Sequence, residues 1–156
     1  MHSSISQISK TKMEKDDHLS NYDIADYDYG KFGIDWVGEE RDDEDGFDAL
    51  ENTLPKEMFK LNRENRTIEV KHEGVKIILR RMINTIRDYA NALNEDNITN
   101  WMESYNLEHS IENYLGNNAL FYYENELMNL NQFIKDIACD EKVTTLYIGA
   151  MLDCHF

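Results

Sequence analysis

The residues best equipped for chemistry are carboxylates, and they concentrate in residues 14–51. That segment holds fifteen Asp and Glu against Lys15, Lys31 and Arg41, a net charge of −12 out of −15 for the 156-residue chain. Carboxylates can bind calcium, exchange protons in catalysis or attract a basic partner. The spacing of these residues decides which of the three chemistries the sequence supports.

The best candidate for a calcium site is the segment of residues 42–51, DDEDGFDALE. Acidic residues surround a glycine in it, as in an EF-hand loop. With Gly46 placed at the sixth loop position, Arg41 falls on the first position. Asn52 falls on the twelfth, where a bidentate Glu is needed. The register therefore fails, and we expect no metal site here.

Other catalytic and metal motifs are missing from the sequence. The soft ligands that zinc prefers lack paired C-x-x-C spacing; they are Cys139, Cys154, His109 and His155. No G-x-S-x-G, glycine-rich phosphate loop or H-E-x-x-H occurs. Carboxylate pairs such as Glu124 and Glu126 arise by chance among 31 acidic residues. We expect no enzyme activity, no metal and no cofactor, with a small enzyme or ligand-binding domain as an alternative.

Composition predicts a folded, acidic protein. Hydrophobic residues make up 41% of the chain and charged residues 30%, which is typical of one globular domain. No apolar run approaches the roughly 20 residues of a membrane span, and the serine-rich N-terminus lacks the apolar core of a signal peptide. We therefore expect a disordered lead-in over residues 1–20 and a single acidic domain over 21–156, located in the cytoplasm.

Apolar periodicity predicts an α+β fold. Strands are expected at residues 31–37, at 57–61 and 67–72 as a hairpin, and at 143–154 as a strand buried on both faces. The strongest helix signal covers 74–93, with further helices at 47–54, around 101–115 and at 123–139, and residues 39–45 are expected as a solvated loop. The architecture is a small mixed or antiparallel sheet with about three helices packed against it.

A basic island lies inside this acidic chain. Residues 52–93 carry a net charge of +4, whereas residues 94–156 carry −9. The acidic segment could fold back onto the island, for example onto Lys76, Arg80 and Arg87, which share one side of the helix over 74–93. The same stripe could equally be a solvated face.

The acidic segment also carries aromatic residues, which anchor protein interfaces more often than other types. We expect Phe32, Trp36 and Phe47 to be core. The predicted partner-binding residues are the remaining tyrosines and the nearby acids, namely Tyr22, Asp26, Tyr27, Asp28, Tyr29, Glu39, Glu40, Asp42, Asp43, Glu44, Asp45 and Asp48.

These features favour a protein that binds a basic protein partner. The leading hypothesis is an inhibitor of the immunity-protein type, which neutralises a nuclease toxin, because charge of this density accelerates association with a basic surface. Alternatives are a nucleic-acid mimic that blocks a DNA-binding or defence enzyme, and a structural subunit. A sequence pI near 4.6 argues against direct binding to nucleic acid or to a membrane surface. The oligomeric state stays open.

Overall fold

A computed structural model describes residues 2–112 and 119–156, and within them seven strands form one mixed sheet. The strands are β1 (His2–Ser9), β2 (Trp36–Glu40), β3 (Phe59–Asn62), β4 (Thr67–Val70), β5 (Leu120–Tyr123), β6 (Glu126–Asn129) and β7 (Thr145–His155). The helices are α1 (Asp26–Phe32), α2 (Asp43–Thr53), α3 (His72–Ala92), α4 (Trp101–Glu112) and α5 (Leu130–Cys139). The α+β class is therefore confirmed, with more helices than expected.

Strand β7 organises the sheet, whose order is β3-β4-β7-β1-β5-β6. One edge of β7 pairs with β1 along nearly its whole length. The other edge pairs first with β4 at Thr145–Tyr147 and later with β2 at Leu152–His155. The prediction of a central, doubly buried strand near the C-terminus is confirmed, because apolar and β-branched residues on both faces of β7 enter the core.

The prediction of a disordered lead-in over residues 1–20 is wrong. Residues His2–Ser9 form β1, which pairs antiparallel with β7 and parallel with β5. Polar side chains are buried in this strand, and Gln7 explains how. Its Oε1 accepts hydrogen bonds from the N–H groups of Leu19 at 2.8 Å and Ala150 at 3.0 Å, while its Nε2 donates to the Asp17 carbonyl. Satisfied polar groups can be buried at little cost.

Some of the other predicted helices and strands are confirmed, and some are wrong. The β3–β4 hairpin and helix α3 are confirmed. The strand over 31–37 is wrong, since α1 ends at Phe32 and β2 begins only at Trp36. The loop over 39–45 is also wrong, because β2 continues to Glu40 and α2 begins at Asp43. The helix over 123–139 is wrong in its first part, where β5 and β6 form a hairpin before α5.

Two cores lie on opposite faces of the sheet. Successive side chains of β5 lie on opposite faces of the sheet, so Phe121 belongs to the first core and Leu120 to the second. Helices α2 and α5 and the start of α3 cover the first core, with Phe47 and Phe133 among its members. Residues 19–34 cover the second core, mainly through Leu19, Ile24 and Ile34 together with partly buried Tyr29 and Phe32. Helices α1 and α2 therefore lie on different sides of the sheet.

None of the helices in the described ranges is long and apolar enough to cross a membrane.

Candidate protein-binding surface

The predicted binding residues separate into two groups. Helix α1 and the short 3-10 helix before it carry Tyr22, Asp26, Asp28 and Tyr29, on the face of the second core. The end of β2 and the first turns of α2 carry the other acids, and α2 packs on the first core through Phe47. The structure thus does not join all the predicted residues into one surface.

The first turn of α2 holds its carboxylates in a fixed position. Asp42 is the N-cap residue, and its Oδ1 accepts a hydrogen bond of 3.0 Å from the Asp45 N–H. Gly46 allows the helix to approach β7 closely, because a Cβ at this position would lie 2.7 Å from the Met151 methyl carbon. Phe47 and Leu50 bury the inner side of the helix. Acidic residues are also favourable at a helix N-terminus, where the helix dipole is positive.

Arg66 ties this turn to the sheet. Its Nη1 donates to Asp43 Oδ1 at 2.5 Å, and its guanidinium carbon lies 5.3 Å from the centre of the Phe47 ring. The same side chain donates from Nε and Nη2 to the carbonyls of Ile148 and Gly149, in the gap of β7 between β4 and β2. The Asp43 carboxylate is therefore paired with an arginine of the same chain.

Arg63 plays a similar part on the next turns of α2. Its Nη2 donates to Asp48 Oδ1 at 2.6 Å and to Glu51 Oε2 at 2.5 Å. Both arginines come from the turn between β3 and β4. The acidic segment therefore does fold back onto the basic island. The part of the island that it contacts is the turn between β3 and β4. Within the described residues, the helix stripe of Lys76, Arg80 and Arg87 makes no ion pair with it.

Three acids beside these pairs remain open to solvent. Glu39, Glu44 and Asp45 are exposed, and none of their side chains forms an ion pair or hydrogen bond within residues 2–112 and 119–156. Trp36, expected in the core, is 51% exposed on the same strand as Glu39. Its indole covers Gly38, where an added Cβ would lie 2.4 Å from the ring. Glu39 and the first turn of α2 therefore present exposed acids, and Trp36 presents an accessible aromatic ring at the start of β2.

A mixed-charge cleft of about 670 Å³ adjoins this acidic turn. Basic side chains line one part of it and acids the other; the lining includes Lys15, His18, Glu40, Arg41, Asp42, Asp43 and Arg66. His18 Nδ1 lies 3.3 Å from Glu40 Oε1, within ion-pair distance but outside hydrogen-bond geometry. Arg41 bonds to the Asp153 carboxylate and to the Ser3 carbonyl, so it holds β2 and β1 together.

The α1 group is more closely tied to folding. Tyr29 packs against the second core, whereas Tyr22 is 91% exposed. Asp26 and Asp28 occupy the first turn of α1, where they complement the helix dipole. The Tyr27 side chain lies outside the described part of the structure. Among the described side chains of this group, Tyr22 is the exposed aromatic residue.

Nucleophiles and metal ligands do not cluster at either group. In the described ranges, no set of three or more His, Cys, Asp or Glu residues is arranged to hold a metal ion. Both cysteines are free thiols: Cys139 is exposed at the end of α5 and Cys154 is buried in β7. Burial, assisted by the Asp153 carboxylate, raises the pKa of the Cys154 thiol to about 11.

Comparison with known proteins gives no relative: no family model matches the chain, and no curated protein and no solved structure matches it.

Proposed function

We propose that the protein is a cytoplasmic inhibitor that binds a basic protein partner, in the manner of an immunity protein that neutralises a nuclease toxin. The surface we assign to the partner is the acidic turn, defined as Trp36, Glu39, Glu44 and Asp45. Its exposed carboxylates on a rigid helix start are the observation that carries the proposal.

The charge balance inside the molecule supports this choice. Arg63 and Arg66 engage Asp43, Asp48 and Glu51, but the segment of residues 14–51 has a net charge of −12, far more than these pairs neutralise. Excess charge of one sign raises the rate of encounter with an oppositely charged protein. The acidic turn therefore suits a basic partner.

Rigidity supports it further. The Asp42 cap, the close contact of Gly46 with β7 and the buried Phe47 fix the helix start before any partner arrives. A preformed surface loses little conformational entropy on binding. Trp36 adds an aromatic side chain of the kind that dominates interface energies.

The test is affinity capture from the native host with the purified 156-residue chain, followed by a nuclease assay of each retained basic protein. We expect a nuclease whose activity the chain abolishes in stoichiometric amounts. A nucleic-acid mimic would instead compete with DNA for several unrelated DNA-binding proteins, which is measured by displacement of a labelled duplex. Retention of no basic protein would contradict the proposal.

A further inference from the structure

Helix α3 continues past the first core, on which Leu79 packs, and within the described residues Arg81 makes its last bond to the body, through Nη2 to Glu57 Oε1 at 2.5 Å. The buried residues of α3 are Gly74, Val75 and Ile78, all in its first two turns. The remainder, residues 79–92, is about 21 Å long at 1.5 Å per residue. It packs against α4, of which no described side chain is buried. We call residues 79–92 together with α4 the helical arm.

The arm leaves much of its apolar surface uncovered. Trp101 is 71% exposed and Tyr105 50%, while Ile83 at the rim of α3 is 45% exposed. Trp101, Tyr105 and His109 follow one another at intervals of four residues, so they form a row on α4, and the Tyr105 and His109 rings stack at 5.4 Å. Two helices alone cannot enclose an apolar core, whereas four can.

The two helices of the arm have opposite charges. Residues 79–92 of α3 carry three Arg against one Asp, whereas α4 carries three acids and no Lys or Arg. Lys76, Arg80 and Arg87 are exposed along one stripe of α3 and form no ion pair within residues 2–112 and 119–156. The arm therefore offers a basic helix beside an acidic one.

We propose that the helical arm is a dimerisation surface whose occupant is the arm of a second copy of this chain. The two arms form a four-helix bundle in which α3 of each copy faces α4 of the other. A two-fold axis makes this contact twice with the same residues, and each contact joins helices of opposite charge. The alternative pairing of α3 with α3 would bring like-charged Arg80 and Arg87 stripes together.

Charge also distinguishes a second copy from other occupants. The basic partner proposed for the acidic turn would match α4 but would be repelled by the stripe of Lys76, Arg80 and Arg87 on α3. An acidic partner would match α3 and be repelled by α4. Only a surface that carries both signs side by side satisfies both helices, and the arm of another copy is such a surface.

Charge reversal provides the test, with sedimentation velocity of the 156-residue chain as the measurement. One variant reverses α3 (Lys76→Glu, Arg80→Glu, Arg87→Glu) and the other reverses α4 (Glu103→Lys, Glu108→Lys). We expect the unaltered chain to dimerise and each variant to dimerise at least about tenfold more weakly. An equimolar mixture of the two variants should form a heterodimer, because every contact across the bundle is again complementary.

Two further variants separate the arm from the rest of the surface. Replacing exposed Trp101 and Tyr105 by Ala should weaken the dimer without changing the circular dichroism spectrum of the chain. Tyr22→Ala, at a side chain even more exposed, should leave the dimer unchanged. An unaltered chain that stays monomeric, a dimer insensitive to all arm substitutions, or a heterodimer that does not form would each overturn the proposal. The proposal would also be overturned if the chain stayed monomeric and its arm bound a different protein.

Discussion

The guanidinium of Arg66 donates a hydrogen bond of 2.5 Å to the backbone carbonyl of Gly149, the point on β7 where neither β4 nor β2 reaches. Through its other nitrogens the same side chain bonds to Ile148 and to the carboxylate of Asp43. One residue of the basic island therefore completes the edge of the central strand and also holds the start of α2. The acidic turn is thus coupled to the sheet.

Arg66→Ala should lower the free energy of unfolding by about 1–3 kcal/mol, because buried carbonyls of Ile148 and Gly149 lose their donor. Urea unfolding followed by circular dichroism measures the change. Arg63→Ala is the matched control, since Arg63 bonds only to exposed carboxylates, and it should cost clearly less. Equal losses for the two variants would contradict the role given to Arg66.

Asp42→Ala removes the N-cap of α2 and should destabilise the protein by about 1 kcal/mol. Asp42→Asn removes the same charge but keeps an oxygen that can accept from the Asp45 N–H. Thermal unfolding of the pair separates capping from charge. If Asn were as destabilising as Ala, the hydrogen bond to Asp45 would not be the source of the stability.

Gly74→Ala should cost about 2 kcal/mol or more, since the new Cβ would lie 1.9 Å from the Glu57 carbonyl oxygen and backbone must move. Gly30→Ala in α1 is the control, because nothing lies within 4 Å of its added Cβ. That change should leave stability unaltered or raise it by up to about 1 kcal/mol through helix propensity. The two midpoints of denaturant unfolding provide the comparison, and a harmless Gly74→Ala would show that α3 does not approach this loop so closely.

Sequence periodicity predicts the elements whose apolar residues follow a regular pattern. Helix α3 has the one-sided apolar pattern of an amphipathic helix, and β7 has a continuous apolar run rich in β-branched residues, which favours a strand. The β3–β4 hairpin was identified from the turn-forming residues between its strands. These elements depend on local sequence, and they were predicted correctly.

The missed elements depend on contacts that sequence alone does not display. Strand β1 is serine-rich, and its place in the sheet relies on buried Gln7 meeting distant backbone groups. The β5–β6 turn places Glu124 and Asn125 at positive φ, 52° and 67°, where a glycine would have signalled a hairpin. Without that signal, the apolar residues on either side matched a helical period as well.

The candidate site was predicted in part for a related reason. The acids of α2 were recognised by charge, but Asp43 and Asp48 are engaged by arginines that follow them in the chain. The exposure of Trp36 depends on where β2 begins in the sheet, and the exposure of Trp101 depends on how α4 packs against α3. The density of charged residues can be counted from the sequence, whereas the ion-pair partner of each residue depends on the fold.

Native protein should react with a thiol reagent at one cysteine per chain at about pH 8. Cys139 is exposed, whereas burial and a pKa of about 11 keep the Cys154 thiol protonated and inaccessible. The second thiol should react only after unfolding in denaturant. Counting released chromophore before and after denaturation tests this, with Cys139→Ser as the control that abolishes the native reaction. Rapid labelling of two thiols in the native protein would contradict the position of Cys154.

The proposed function rests on the acidic turn rather than on net charge, and two matched variants distinguish these. Glu44→Gln with Asp45→Asn removes two charges from the first turn of α2, and Asp26→Asn with Asp28→Asn removes two from the first turn of α1, on the opposite face of the sheet. Both pairs leave the Asp42 cap in place. Both variants have the same net charge, so any difference between them reports position.

The most direct measurement is the association rate constant of each variant with the captured basic partner at low ionic strength, by stopped-flow fluorescence. The α2 variant should associate at least about threefold more slowly than the unaltered chain, and the α1 variant should change much less. The difference should shrink as salt is added, since exposed charges are screened. Equal rates for the two variants, or a slower α1 variant, would contradict the assignment of the binding surface to the acidic turn.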